Sequence, residues 1–186
     1  MYKTLVFLDE GFLYKLSKHI GGGAPIKFDR VDLAKNLAVK EKLQCEKIFY
    51  YNAPPYDKFI RKLQEHNEII VREGRLQRLK IDGKFIFRQK SVDVLLAMDL
   101  STIPIKYPHI KNIILVSSDS DFVPVIRNLE ENGIKTILYT YYEKKRNTAF
   151  SRSNELIKSV HKYVLLTKED FKNASLYKTR GDENES

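Results

Sequence analysis

Short apolar runs recur along this chain, and helix-period segments fill the intervals between them. The runs at residues 5–8, 47–51, 69–71, 113–116 and 136–139 have the length of strands buried on both faces and are too short for buried helices. Between them apolar residues return every three or four positions. Phe12, Leu13, Leu16 and Ile20 form one such set. Val31, Leu33, Leu37 and Val39 form another behind a candidate cap at Asp29. Phe59 and Leu63 follow Pro54-Pro55, and Val125, Ile126 and Leu129 precede Gly133. Strand and helix alternation admits few solutions, because parallel strands need crossovers and helical crossovers cover the sheet. A three-layer α/β/α architecture with a central, mostly parallel sheet is expected.

One segment breaks the alternation. Leu76, Leu79, Ile81, Phe85 and Phe87 flank Asp82-Gly83, the pattern of a β-hairpin, so residues 74–90 read as a hairpin insertion. A largely apolar helix follows, from Val92 to Leu100. Residues 155–160 read as a short helix and 163–166 as a last strand. The domain is expected to span residues 1–167, with a polar tail over 168–186.

The chain has 186 residues, enough for one domain with a substantial core. No apolar run approaches the ~18 residues of a membrane span, and the first residues read as a strand ending at Asp9 rather than a signal peptide. Cys45 is the single cysteine. It permits no internal disulfide or multi-cysteine zinc site, reads as a half-buried structural residue, and fits a reducing, cytoplasmic setting. The formal net charge of +9 points to a polyanionic partner, nucleic acid first.

The chemistry concentrates in aspartates. The run at 113–116 meets Ser117-Ser118-Asp119-Ser120-Asp121, and a helix starts near Pro124. Asp9 closes the first strand. Open α/β sheets keep their sites at the carboxyl ends of strands, where the strand order reverses. Asp93 lies in the first turn of the apolar helix. Four such carboxylates gathered together would repel unless a cation held them, and an all-oxygen set favours Mg²⁺ or Mn²⁺. That set suits phosphodiester hydrolysis. Each acid also has a plainer reading: Asp9, Asp119 and Asp121 as helix caps, and Asp93 as a first-turn acid favoured by the helix dipole. Glu10 is a possible extra metal ligand. Asp99, six residues beyond Asp93, reads as a surface or helix-pairing residue. Ser117 could bond a ligand carboxylate or phosphate, or be an ordinary turn serine.

Three blocks carry a family resemblance: Phe7-Leu8-Asp9 with Leu13-Tyr14, Gln89-Lys90-Ser91-Val92-Asp93-Val94 with Leu96-Ala97-Met98-Asp99, and Ser117-Ser118-Asp119-Ser120-Asp121-Phe122-Val123-Pro124. Over residues 3–166 the chain resembles the NYN domain, in the LabA-like branch of the PIN-like nucleases. The resemblance implies a PIN-like fold and places the family's metal-binding and catalytic acids on Asp9, Asp93, Asp119 and Asp121. It implies metal-dependent RNA cleavage of the endonucleolytic kind, in RNA processing or decay. The sequence departs from the family pattern at Glu10 and Ser91, usually Gly, at Phe12, usually Asn, at Ser118, usually Gly, and at His161, often Asp.

Candidate substrate contacts are Lys90, Ser117, Arg88, and the Lys144-Lys145-Arg146 run beside Tyr139, Tyr141 and Tyr142, which would suit stacking and phosphate contacts to single-stranded RNA. Arg72, Arg75, Arg78, Lys80 and Lys84 could track a backbone or simply solvate the hairpin. His19, His66, His109 and His161 share no metal spacing. Two rivals stay open: a non-catalytic RNA-binding module, and a metal-dependent phosphatase of small molecules. A homodimer is a further open expectation.

Overall fold

The computed structural model describes residues 1–53, 63, 65–82, 84–143, 148, 150–174 and 176, the side chains at 81 and 87–89 excepted. The helix expected after Pro54-Pro55 falls on residues outside that set. Eight strands are described: β1 Tyr2–Asp9, β2 Leu43–Asn52, β3 Ile69–Glu73, β4 Arg75–Ile81, β5 Lys84–Lys90, β6 Asn112–Val116, β7 Lys135–Thr140 and β8 Lys162–Leu165. The helices are α1 Glu10–Ile20, α2 Arg30–Lys40, α3 Val92–Lys106, α4 Val123–Glu131, α5 Asn154–Lys158 and α6 Lys168–Asn173.

Six strands form one sheet in the order β3-β2-β1-β6-β7-β8, every pair parallel. The expected parallel α/β architecture is therefore the observed one, consistent with a PIN-like fold. Strand side chains alternate between two apolar layers. Val6, Leu8, Ile48, Tyr50, Ile114 and Val116 pack with Phe12 and Leu16 of α1, Leu37 of α2 and Phe171 of α6. Leu5, Phe7, Phe49, Tyr51, Ile113 and Leu115 pack with Leu96 of α3, Ile126 of α4 and Leu156 of α5. Both faces are covered by apolar side chains, which is why the strands read as continuous apolar runs.

β1 lies between β2 and β6, and the strand order reverses there. Leu8 pairs with Val116, so Asp9 and Ser117 leave the sheet side by side, at the switch point where such sheets bind ligands.

β4 and β5 form a separate antiparallel ribbon, the expected hairpin. Its root is tight: the Gly74 N–H donates to Asn52 O at 2.8 Å, and a Cβ on Gly74 would lie 2.6 Å from both Lys90 O and Val92 Cγ2.

Residues 168–173, expected as the start of a polar tail, form a helix docked on the domain. Thr167 and Asp170 form a capping box for α6, Phe171 is fully buried against Phe28, and Asp170 pairs with Lys40. One aromatic anchor and a cap suffice for so short a helix, because α2 and the core supply its packing.

Candidate active site

Asp9 is both the last residue of β1 and the N-cap of α1. Its Oδ1 accepts from Phe12 N at 3.1 Å and its Oδ2 from Ser117 Oγ at 2.9 Å. No loop separates strand from helix, so the carboxylate has little freedom. Burial is the largest influence on it and pushes its pKa up to about 6; the two hydrogen bonds oppose that, the Asp93 charge adds to it, and Lys15 lowers it.

Asp119 caps a 3₁₀ turn, Ser120–Phe122, accepting at Oδ1 from Asp121 N at 2.9 Å. The Asp119 N–H donates to Ser117 Oγ at 3.2 Å. Capping and site-building therefore coincide in Asp9 and Asp119. Asp93 stands in the first turn of α3. Desolvation, then the Asp119 and Asp121 charges, raise its pKa, with Lys15 opposing.

Asp9, Asp93 and Asp119 line one cleft of about 370 Å³, together with Lys15, Phe12, Ser118, Ser151 and Ser153. Asp121 is exposed beside it and outside the lining, although its charge reaches Asp93. The acids sit close enough to perturb one another. Yet among the described residues no group of three His, Cys, Asp or Glu side chains forms a ready chelate. The donor chemistry fits a hydrated Mg²⁺ or Mn²⁺, which keeps several waters, better than a fully dehydrated ion.

Other expectations meet different outcomes. Glu10 does not reach the cleft: it is buried and held from two sides by Arg30, Nη2 to Oε1 at 2.5 Å and Nε to Oε2 at 3.2 Å. Ser117 is fully buried and bonds the Asp9 carboxylate, which leaves it no surface for a phosphate. Asp99 is not a surface or helix-pairing acid; it is buried, accepting from Tyr51 OH at 2.8 Å and from Arg72 Nε and Nη2 at 2.8 and 2.9 Å. Tyr139 is buried with its hydroxyl on Glu41 at 2.8 Å and offers no stacking face. Lys90 is exposed at the end of β5. The Arg88 side chain and Lys144, Lys145 and Arg146 lie outside the described residues. Cys45 is half-buried, and burial pushes its thiol up to about 11, leaving no thiolate near neutrality.

A family model of the NYN domain matches residues 3–166. The chain belongs to the NYN domain family. No curated protein matches it. Among solved structures, a PfkB family carbohydrate kinase from Listeria grayi DSM 20601 aligns at 14% identity and a TM-score of 0.38, covering 96% of this chain and 65% of that one. At that level the likeness carries no argument.

The NYN domain's cleft also contains a residue that the sequence reading passed over. Lys15 faces both Asp9 and Asp93 and lowers the pKa of each. Gly11 lines the same cleft four residues earlier. The signal was present as i, i+4 spacing after a capping acid, which puts both residues on one helix face. Among the described residues, no helix is long and apolar enough to cross a membrane.

Proposed function

We propose that this NYN domain is a divalent-metal-dependent ribonuclease of the LabA-like branch, cutting RNA endonucleolytically in cytoplasmic RNA processing or decay. The observation that carries the reading is the convergence of Asp9, Asp93 and Asp119 on one cleft at the switch point, with Asp121 beside it. Those four acids would hold Mg²⁺ or Mn²⁺, directly or through water. The chemistry such an ion supplies is activation of a water and neutralisation of phosphate charge. The chain's own residues set the stage. Ser117 fixes the orientation of Asp9, and Lys15 offers a cation at the cleft wall. Arg75, Arg78, Lys80, Lys84 and Lys90 crowd a ribbon that leads straight into the helix bearing Asp93. Such a basic track suits an RNA backbone.

A metal-titrated cleavage assay on single-stranded and structured RNA tests this. Cleavage in Mg²⁺ or Mn²⁺ that disappears in Asp119→Asn is the expected result. RNA binding without cleavage in either metal would refute it and leave the second reading, a binding module on the same scaffold. One observation favours that second reading: the buried Phe12 where the family pattern has a polar residue.

A further inference from the structure

Lys15 and Phe150 line two depressions at once. One is the acid cleft; the other is an open groove of about 580 Å³ along α1. The groove takes Tyr14, Lys18 and His19 from the helix and is closed by Gly22 and Gly23. Those glycines have φ of +73° and +106°, which turns the chain without adding a side chain to the wall. Among the described residues its lining contains no acid, although the adjoining cleft carries three.

Aromatic side chains gather along the groove. Tyr14 is 46% exposed. Phe150 is half-buried and braced by His19 edge-on at 5.7 Å and by Tyr141 at 5.8 Å. His19 and Tyr141 are tied together, Nε2 to OH at 3.1 Å. Lys15 and Lys18, both exposed, stand three residues apart on one helix. Cations beside aromatic faces are the two elements that a single RNA strand engages, through phosphate and through base. A base already paired and stacked in a duplex offers no face to such side chains.

We infer that this groove is a subsite for one unpaired RNA nucleotide flanking the phosphate in the acid cleft, with its base against Phe150 and Tyr14 and its phosphate against Lys15 and Lys18. The assignment rests on the ribonuclease reading for what the neighbouring cleft does. It adds a requirement for single-stranded character next to the cut.

The test is an abasic walk. A short single-stranded RNA carrying one abasic nucleotide, moved position by position, is titrated by fluorescence anisotropy into the Asp121→Asn chain. Affinity should drop by about tenfold at one or two adjacent positions. Phe150→Leu, which keeps most of the packing volume, should flatten that peak. Lys18→Gln, on an exposed position, should reduce the slope of log affinity against log salt by about 0.7. A flat profile, a peak that survives Phe150→Leu, an unchanged salt slope, or no binding overturns the subsite. The two readings fail separately. A wild-type chain that shows the peak but cuts no RNA in Mg²⁺ or Mn²⁺ keeps the subsite and loses the nuclease; a chain that cuts RNA with a flat profile does the reverse.

Discussion

Asp9 and Ser117 are joined by a 2.9 Å hydrogen bond from Oγ to Oδ2, across the adjacent ends of two parallel strands. The same Oγ accepts from the Asp119 N–H, so one buried hydroxyl couples the β1 acid to the loop that carries Asp119. Ser117→Ala should cost about 1–3 kcal/mol, because it strips a half-buried carboxylate of a donor and a backbone N–H of an acceptor. It should also move the Asp9 titration, followed by carboxyl NMR, above about 6. Unchanged stability together with an unmoved titration would show that the bond does not position Asp9.

Asp9 makes the metal-free domain sensitive to pH in an unusual direction. Its folded pKa, about 6, lies above the ordinary 3.8, so the folded state binds the proton more tightly than the unfolded chain does. The resulting stabilisation is complete below about pH 4 and is lost as pH rises through about 6. It amounts to something on the order of 3 kcal/mol. Asp9→Asn should abolish this slope and stabilise the metal-free protein near neutral pH. Mg²⁺ or Mn²⁺ should raise the wild-type Tm near neutral pH and do so much less in the variant. Thermal melts across pH, with and without metal, decide it; superimposable curves for the two chains count against the idea.

Two acids on α3 should respond oppositely to truncation. Asp99 is buried and holds Tyr51 and Arg72, and burial, then that carboxylate, push the Tyr51 hydroxyl upward. Asp99→Ala should destabilise by about 2–3 kcal/mol, less than for a wholly buried pair, because the Arg72 side chain is 40% exposed and can rehydrate. Its kcat for RNA cleavage should hold below the melting range. Asp93→Ala removes a charge that its neighbours disfavour, so stability should hold or rise while cleavage disappears. Urea melts paired with single-turnover rates would expose any departure from this crossed pattern.

Ser91 sits at φ +70°, ψ −1°, immediately before α3, and its side chain makes no capping bond. A left-handed conformation costs an L-residue roughly 1 kcal/mol or more that glycine escapes. Ser91→Gly should therefore stabilise the domain by about 0.5–1 kcal/mol, and Ser91→Val should destabilise it by at least as much. Chemical denaturation gives the sign directly. The left-handed backbone also accounts for glycine being usual at this position in the family pattern.

Strand positions were legible because burial on both faces leaves unbroken apolar runs such as Leu5 to Leu8. The positions of Asp9 and Asp119 were legible because strand order alone brings the ends of β1 and β6 together. Glu10 misled for a local reason: successive helix residues point about 100° apart, so adjacency to Asp9 sends Glu10 toward Arg30 instead of the cleft. Asp99 was opaque because its partners, Tyr51 and Arg72, come from β2 and β3, and no local pattern encodes that meeting. The α6 helix carried a cap signature at Thr167 and Asp170 but too few apolar residues to show a period. Lys15 was visible only as spacing, and the sequence could not say that its face turns toward Asp93.

Gly74 has a consequence for how such a domain can diversify. Its missing side chain lets both legs of the basic ribbon leave from one clamped point, with Lys90 and Val92 closing on it. The leg that returns passes into α3 and Asp93 within three residues. Residues added in pairs at the ribbon's tip would extend its reach without turning that helix. On the ribonuclease reading proposed above, substrate grip and catalytic aim would be mechanically separable, so an arm could be lengthened, trimmed or exchanged on an unchanged head.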